Sequence, residues 1–192
     1  MALENTLMFV DGGYLSKISK YLGKGKHHKL NLLKFGIYLS RKQQLYCEEI
    51  FYYTAPPFQS EQPTGEEIKR KIGYDFFTNK LQKFKQINVR EGRLQKIGNN
   101  FTQKGVDTLM TIDLLIEPIR RGIKTIILIA CDTDFVPVLN MLRKRYNMKI
   151  ILYYFTDNKR NSLFSMSNHI LTACDQKVLL TEEDFLKNII DK

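Results

Sequence analysis

The stretch that most constrains this chain is Thr125 to Cys131 (TIILIAC), a continuous apolar run between two segments of helical periodicity. A run that is apolar at every position is buried on both faces, the condition of an inner strand in a parallel sheet covered by helices. Thr6 to Val10 (TLMFV) is a shorter run of the same kind, stopped by Asp11-Gly12-Gly13. Around them the pattern predicts helices over Tyr14 to Leu22, from a cap at Asn31 to about Arg41, and over Glu66 to about Lys85. Further helices are expected over Val106 to Arg121, Phe135 to Tyr146, Asn161 to Ser167 and, after a Thr181 cap, Glu182 to Ile190. The predicted apolar face of the Val106 helix is Leu109, Ile112, Leu115, Ile116 and Ile119, and that of the Glu66 helix is Ile68, Ile72, Phe76, Phe77, Leu81 and Phe84.

Strands are expected over Leu45 to Thr54, stopped by Pro56-Pro57, over Lys149 to Phe155, and weakly within Ile170 to Leu180. Ile87 to Ile97 reads as a strand or hairpin, followed by a polar connector from Gly98 to Lys104. Strands alternating with helices predict a three-layer α/β/α sandwich on a mainly parallel sheet. With no repeat or linker, residues 1–192 are expected to form one domain.

No apolar run approaches the roughly 20 residues of a membrane span. Met1 to Val10 carries Glu4 where a leader would be basic, so the expectation is a cytoplasmic protein without membrane partners. Cys47, Cys131 and Cys174 are odd in number and sit in apolar contexts, which suits reduced core thiols. The charge of +10 is uneven: residues 1–105 hold 18 Lys and Arg against 9 Asp and Glu, and the remainder 12 against 11. A basic half beside a neutral half with clustered aspartates suits a protein that handles a polyanion; a merely soluble basic surface is the alternative.

In an open α/β sheet, ligands bind where strands end at their carboxyl side. Asp11 follows the first buried strand, and Asp132 and Asp134 follow the second, where an extended chain would turn both to one side. Asp107 opens the helix before that strand, where a helix cap also belongs. Carboxylates brought together in this way repel one another, and a hard cation such as Mg²⁺ or Mn²⁺ relieves the repulsion. Asp113 and Thr133 are candidates for supporting those four from behind.

Three blocks then carry a resemblance: Phe9-Val10-Asp11-Gly12-Gly13-Tyr14, Lys104-Gly105-Val106-Asp107 with Asp113-Leu114-Leu115, and Cys131-Asp132-Thr133-Asp134-Phe135-Val136-Pro137. In that order and spacing they resemble the signature of the NYN domain, LabA-type, within the PIN-like nucleases. The likeness runs from about Leu7 to Phe155, with Ser162 to Leu180 similar to the family's closing segment. It implies a PIN-like fold and a Mg²⁺- or Mn²⁺-dependent ribonuclease whose catalytic and metal residues fall on Asp11, Asp107, Asp132 and Asp134. The chain departs from the pattern in having Gly12-Gly13-Tyr14 where an Asn is usual, and Ala130-Cys131 in place of Ser-Gly.

Two other readings stand beside it. Asp132 to Val136 also fits Asp-x-Asp-x-Val, the motif of haloacid-dehalogenase-type phosphatases, in which the first Asp attacks phosphorus. A non-catalytic RNA-binding module is the other. Lys24, Lys26, Lys29, Lys69, Arg70, Lys71, Arg90 and Arg93 could line a phosphate track, with Tyr52, Tyr53, Phe58 and Tyr74 stacking on bases if exposed. The expected partners are RNA, single-stranded or structured, and a second copy of the chain as a homodimer.

Overall fold

A computed structural model of the chain describes residues 3–97, 100–157 and 164–190. Its strands are β1 (Glu4–Asp11), β2 (Leu45–Thr54), β3 (Ile87–Glu91), β4 (Arg93–Ile97), β5 (Asn100–Lys104), β6 (Thr125–Ile129), β7 (Lys149–Tyr154) and β8 (Gln176–Leu179). Six of them form one sheet in the order β3-β2-β1-β6-β7-β8, and every neighbouring pair is parallel. The order reverses between β1 and β6, which pair from Thr6 with Thr125 to Val10 with Ile129. That reversal is the topological switch point at which doubly wound sheets open a crevice.

Side chains alternate between two cores, as a period of two demands. Met8 and Val10 of β1, with Ile127 and Ile129 of β6, point toward α1 (Gly12–Leu22), α2 (Leu32–Lys42), the end of α3 (Gly65–Gln82) and α7 (Glu182–Leu186). Leu7, Phe9, Ile126 and Leu128 point toward α4 (Val106–Arg120), α5 (Val136–Tyr146) and α6 (Asn168–Thr172). All five β6 residues are buried. At about 1.5–3 kcal/mol for each fully buried large aliphatic side chain, this strand anchors both layers.

Local chemistry sets the ends of the helices. Asn31 accepts from the Lys34 amide at the start of α2, and Thr64 with Glu67 closes a capping box at the start of α3. Gly105, at φ 81°, precedes α4 in the left-handed region where a side chain would be strained.

Several sequence expectations are corrected. Residues 100–104, expected as a connector, form β5, which pairs antiparallel with β4 in a ribbon separate from the sheet. The strand expected to reach Cys131 stops at Ile129. Residues 164–167 are not helical and the short helix lies at α6, while 161–163 of that expectation fall outside the described residues. The last helix stops at Leu186 rather than Ile190, because Ile189 turns to bridge Leu30. α4 buries Val106, Met110, Asp113, Leu114 and Pro118, and leaves Ile112, Ile116 and Ile119 exposed. It can turn an acid inward because Asp113 is neutralised there by Arg90. On α3, Ile68, Ile72 and Phe76 are likewise exposed, and only Thr78 and Leu81 are buried.

Candidate functional site

Asp11 ends β1 and caps α1, accepting hydrogen bonds from the Tyr14 amide at 3.0 Å and from the Gly13 amide. On the neighbouring strand the chain leaves β6 and reaches Asp132, whose Oδ1 accepts from the Asp134 amide at 2.9 Å. That bond folds Thr133–Phe135 into a 3₁₀ turn leading into α5. Asp132 and Asp134 therefore share a tight turn and not an extended strand, because a side-chain acceptor at this position competes with sheet geometry. Asp107 lies in the first turn of α4, which packs against β1 and the 3₁₀ turn. Gly105, not Asp107, stands at its cap position.

The four aspartates thus come to one edge, and they feel one another. Burial raises the Asp107 pKa above the ordinary carboxylate value, and the charges of Asp11, Asp132 and Asp134 raise it further. Burial also raises Asp11, against the opposing pull of its two amide hydrogen bonds and of Lys17, with Asp132 adding to the rise. Among the described residues none of the four forms an ion pair. Nor, among those residues, are three His, Cys, Asp or Glu side chains gathered closely enough to hold a metal ion between them. Oxygen donors with uncompensated negative charge still suit Mg²⁺ or Mn²⁺, since Mg²⁺ keeps several waters and takes only one or two carboxylates directly.

The supporting candidates fare differently. Thr133 is exposed at the start of the 3₁₀ turn. Asp113 is buried and accepts from Arg90 Nε at 2.8 Å, Arg90 Nη2 at 3.1 Å and the hydroxyl of Tyr53, the residue paired with Asp11 across β1 and β2, at 3.0 Å. Arg90 is therefore the counter-ion of Asp113 and not an open phosphate ligand, and Tyr53 is a core residue. Lys71 is paired with Asp75 at 2.7 Å, whereas Lys24, Lys26, Lys29, Lys69, Arg70 and Arg93 are exposed. Tyr52 is buried, Tyr74 donates to Glu91 at 2.6 Å, and Phe58 is half-buried. Cys47 and Cys174 are buried and Cys131 half-buried; all three are free, with burial pushing their thiols up to about 11, 12 and 11.

Sequence reasoning named Tyr52 as a stacking residue but missed its packing on Gly12 and the place of Gly73 beside it. Tyr52 is packed so closely on Gly12 that a Cβ there would stand 2.6 Å from its ring. Next to it a cleft of about 850 Å³ opens between α1, residues 27–30 and α3, with Gly73 of α3 in its wall. An isolated glycine within a helical pattern was the available signal.

The NYN domain profile matches residues 5–179. The chain belongs to the NYN domain family. That span holds all four aspartates and has the fold of PIN-like nucleases, which replaces the phosphatase reading of Asp132 to Val136. A crystal structure of a protein of unknown function from Vibrio parahaemolyticus shares the fold of this NYN chain, with a TM-score of 0.59 at 16% identity over 95% of this chain and 96% of that one. No curated protein matches the chain. Among the described residues no helix is long and apolar enough to cross a membrane.

Proposed function

We propose that this NYN protein is a metal-dependent ribonuclease that hydrolyses phosphodiester bonds within single-stranded or structured RNA. The observation that carries the reading is the set of uncompensated aspartates at the switch point, where Asp107 is held above its ordinary pKa partly by the other three. A negative groove is adverse for binding a polyanion alone, so its retention favours catalysis. Asp11, Asp107, Asp132 and Asp134 would hold Mg²⁺ or Mn²⁺, which when bound supplies charge stabilisation for a phosphodiester transition state and activation of water. The amides that fix Asp11 and Asp132 orient one oxygen of each carboxylate, and the exposed Lys24, Lys26 and Lys29 draw the strand toward the edge.

Asp132→Asn and Asp134→Asn keep side-chain size and remove a ligand charge. Each is expected to lower Mn²⁺-dependent cleavage of single-stranded RNA by about 10²-fold or more, the equivalent of a few kcal/mol of transition-state stabilisation. Parental rates in both variants would remove the aspartates from catalysis. The lack of a gathered three-ligand cage favours one alternative, a non-catalytic RNA binder. That reading predicts no metal-dependent cleavage by the parent at all.

A further inference from the structure

We infer that the cleft between α1, residues 27–30 and α3 holds a nucleotide unit of the RNA strand, its base against the α3 aromatics and its phosphate on Lys29, Arg70 and Lys80. The inference rests on the RNA-binding part of the proposal above and not on hydrolysis. At about 850 Å³ the cleft falls within the roughly 300–1,000 Å³ of small-ligand sites. Its wall carries Tyr74, Phe76 and Phe77, and its floor is Tyr52, which meets Phe77 edge-on at 5.8 Å between ring centroids. Phe76 is 73% exposed, a cost that a stacked base would remove.

The charge of the wall selects an anion. Lys29, Arg70 and Lys80 line the cleft and no carboxylate does. Among the described residues Arg70 is paired only with Glu66 of its own helix, an exposed pair of the kind that contributes little and yields readily to a phosphate. His28 also lines the cleft; its Nε2 is shut from solvent and has no hydrogen-bond partner among the described residues. Tyr52, in the floor of the cleft, packs on Gly12, the neighbour of Asp11.

Gly73 supports the reading from a different direction. Glycine inside a helix is less favourable than alanine. Gly12 is explained by the Tyr52 ring pressed against it, but a Cβ at Gly73 would meet nothing within 4 Å, and its φ is not positive. Neither packing nor backbone conformation calls for glycine there. A side chain at 73 would intrude on the cleft.

The test is anisotropy of a short fluorescein-labelled single-stranded RNA in EDTA. Gly73→Ala, Gly73→Leu and Gly73→Phe are expected to weaken binding progressively, by at least 10-fold for Phe, while the melting temperature of the Ala and Leu variants rises. Affinity and helix stability then move in opposite directions, which a folding defect would not produce. Lys29→Glu with Lys80→Glu, both on the surface, is expected to weaken binding by at least 10-fold and to flatten its salt dependence. Unchanged affinity in folded Gly73→Phe or in the double Glu variant overturns the cleft, as does a parent that binds no RNA. Adenosine 5′-monophosphate binding as tightly as the strand would assign the cleft to free nucleotides and overturn the strand proposal. Cleavage is a separate readout: a parent that binds in this way but never cuts upholds the cleft and overturns the nuclease, and a parent that cuts with affinity indifferent to Gly73 does the reverse.

Discussion

Toward the start of the sheet, Glu48, Glu49 and Glu117 converge on Arg121 at 3.1, 2.7 and 2.9 Å, and its guanidinium also lies over the Phe51 ring. At the carboxyl edge of the same strands, Asp11, Asp107, Asp132 and Asp134 converge with no cation paired to them among the described residues. The acidity of the two groups answers to this difference. Burial pushes Glu117 up, but hydrogen bonds from Arg120 and Arg121 outweigh it and leave the carboxyl below its ordinary value. Among the described residues Asp107 has no such bonds, and it stays above its ordinary value. One acidic cluster is neutralised by the chain itself and serves the fold; the other is left for something the chain does not contain.

The largest effect that would break this comparison is at the neutralised end. Arg121→Ala leaves Glu48 and Glu49 with no counter-ion among the described residues and Glu117 with Arg120 alone. Breaking a fully buried network costs about 3–5 kcal/mol, and since Arg121 is partly solvated the expected loss is about 2 kcal/mol. At this chain length that lowers the melting temperature by about 4–8 °C. Thermal denaturation measures it, and a loss below about 0.5 kcal/mol would make the network an ordinary set of surface pairs. Cleavage well below the transition should keep its metal dependence.

A smaller effect is expected at the other end on adding metal. A ligand at ten times its Kd stabilises the native state by about 1.4 kcal/mol, so Mn²⁺ should raise the melting temperature by about 3–6 °C. The rise should shrink in Asp132→Asn and persist in Arg121→Ala. Equal rises in Asp132→Asn and the parent would place the cation elsewhere.

The contrast also shows what was legible in the sequence. The apolar runs of β1 and β6 disclose an inner parallel sheet, and the aspartates that follow them disclose its functional edge, since both signals are local. The buried face of α4 was not legible, because Asp113 can turn inward only beside Arg90 and Tyr53, which are distant in sequence. For the same reason a paired arginine was read as a phosphate ligand. The 3₁₀ turn at Asp132 depends on a single side-chain hydrogen bond that competes with extension of the strand. The exposed apolar stripe of α3 has the helical period of a core face, and periodicity alone cannot tell a face covered by protein from one left open beside a cleft.

The smallest effect carries an opposite sign at the two ends. A carboxyl whose pKa is raised on folding binds its proton more tightly in the native state. Its contribution to stability is present below the unfolded value near 3.8 and is lost as pH rises through the raised one, the direction shown by Asp107 and Asp11. Glu117, lowered on folding, contributes above its unfolded value near 4.5 and loses that contribution as pH falls through the folded one. In metal-free protein, Asp107→Asn should therefore raise the melting temperature at pH 7, by about 1–3 °C given the exposure of the side chain. The gain should fade as pH is lowered toward 4, where the parental carboxyl is itself protonated. Glu117→Gln should do the reverse, destabilising at pH 7 and approaching the parent in acid. Differential scanning in EDTA across pH 4 to 7 reads both. A destabilised Asp107→Asn at pH 7 would mean that Asp107 holds the fold together, and the distinction between the two acidic clusters would be lost.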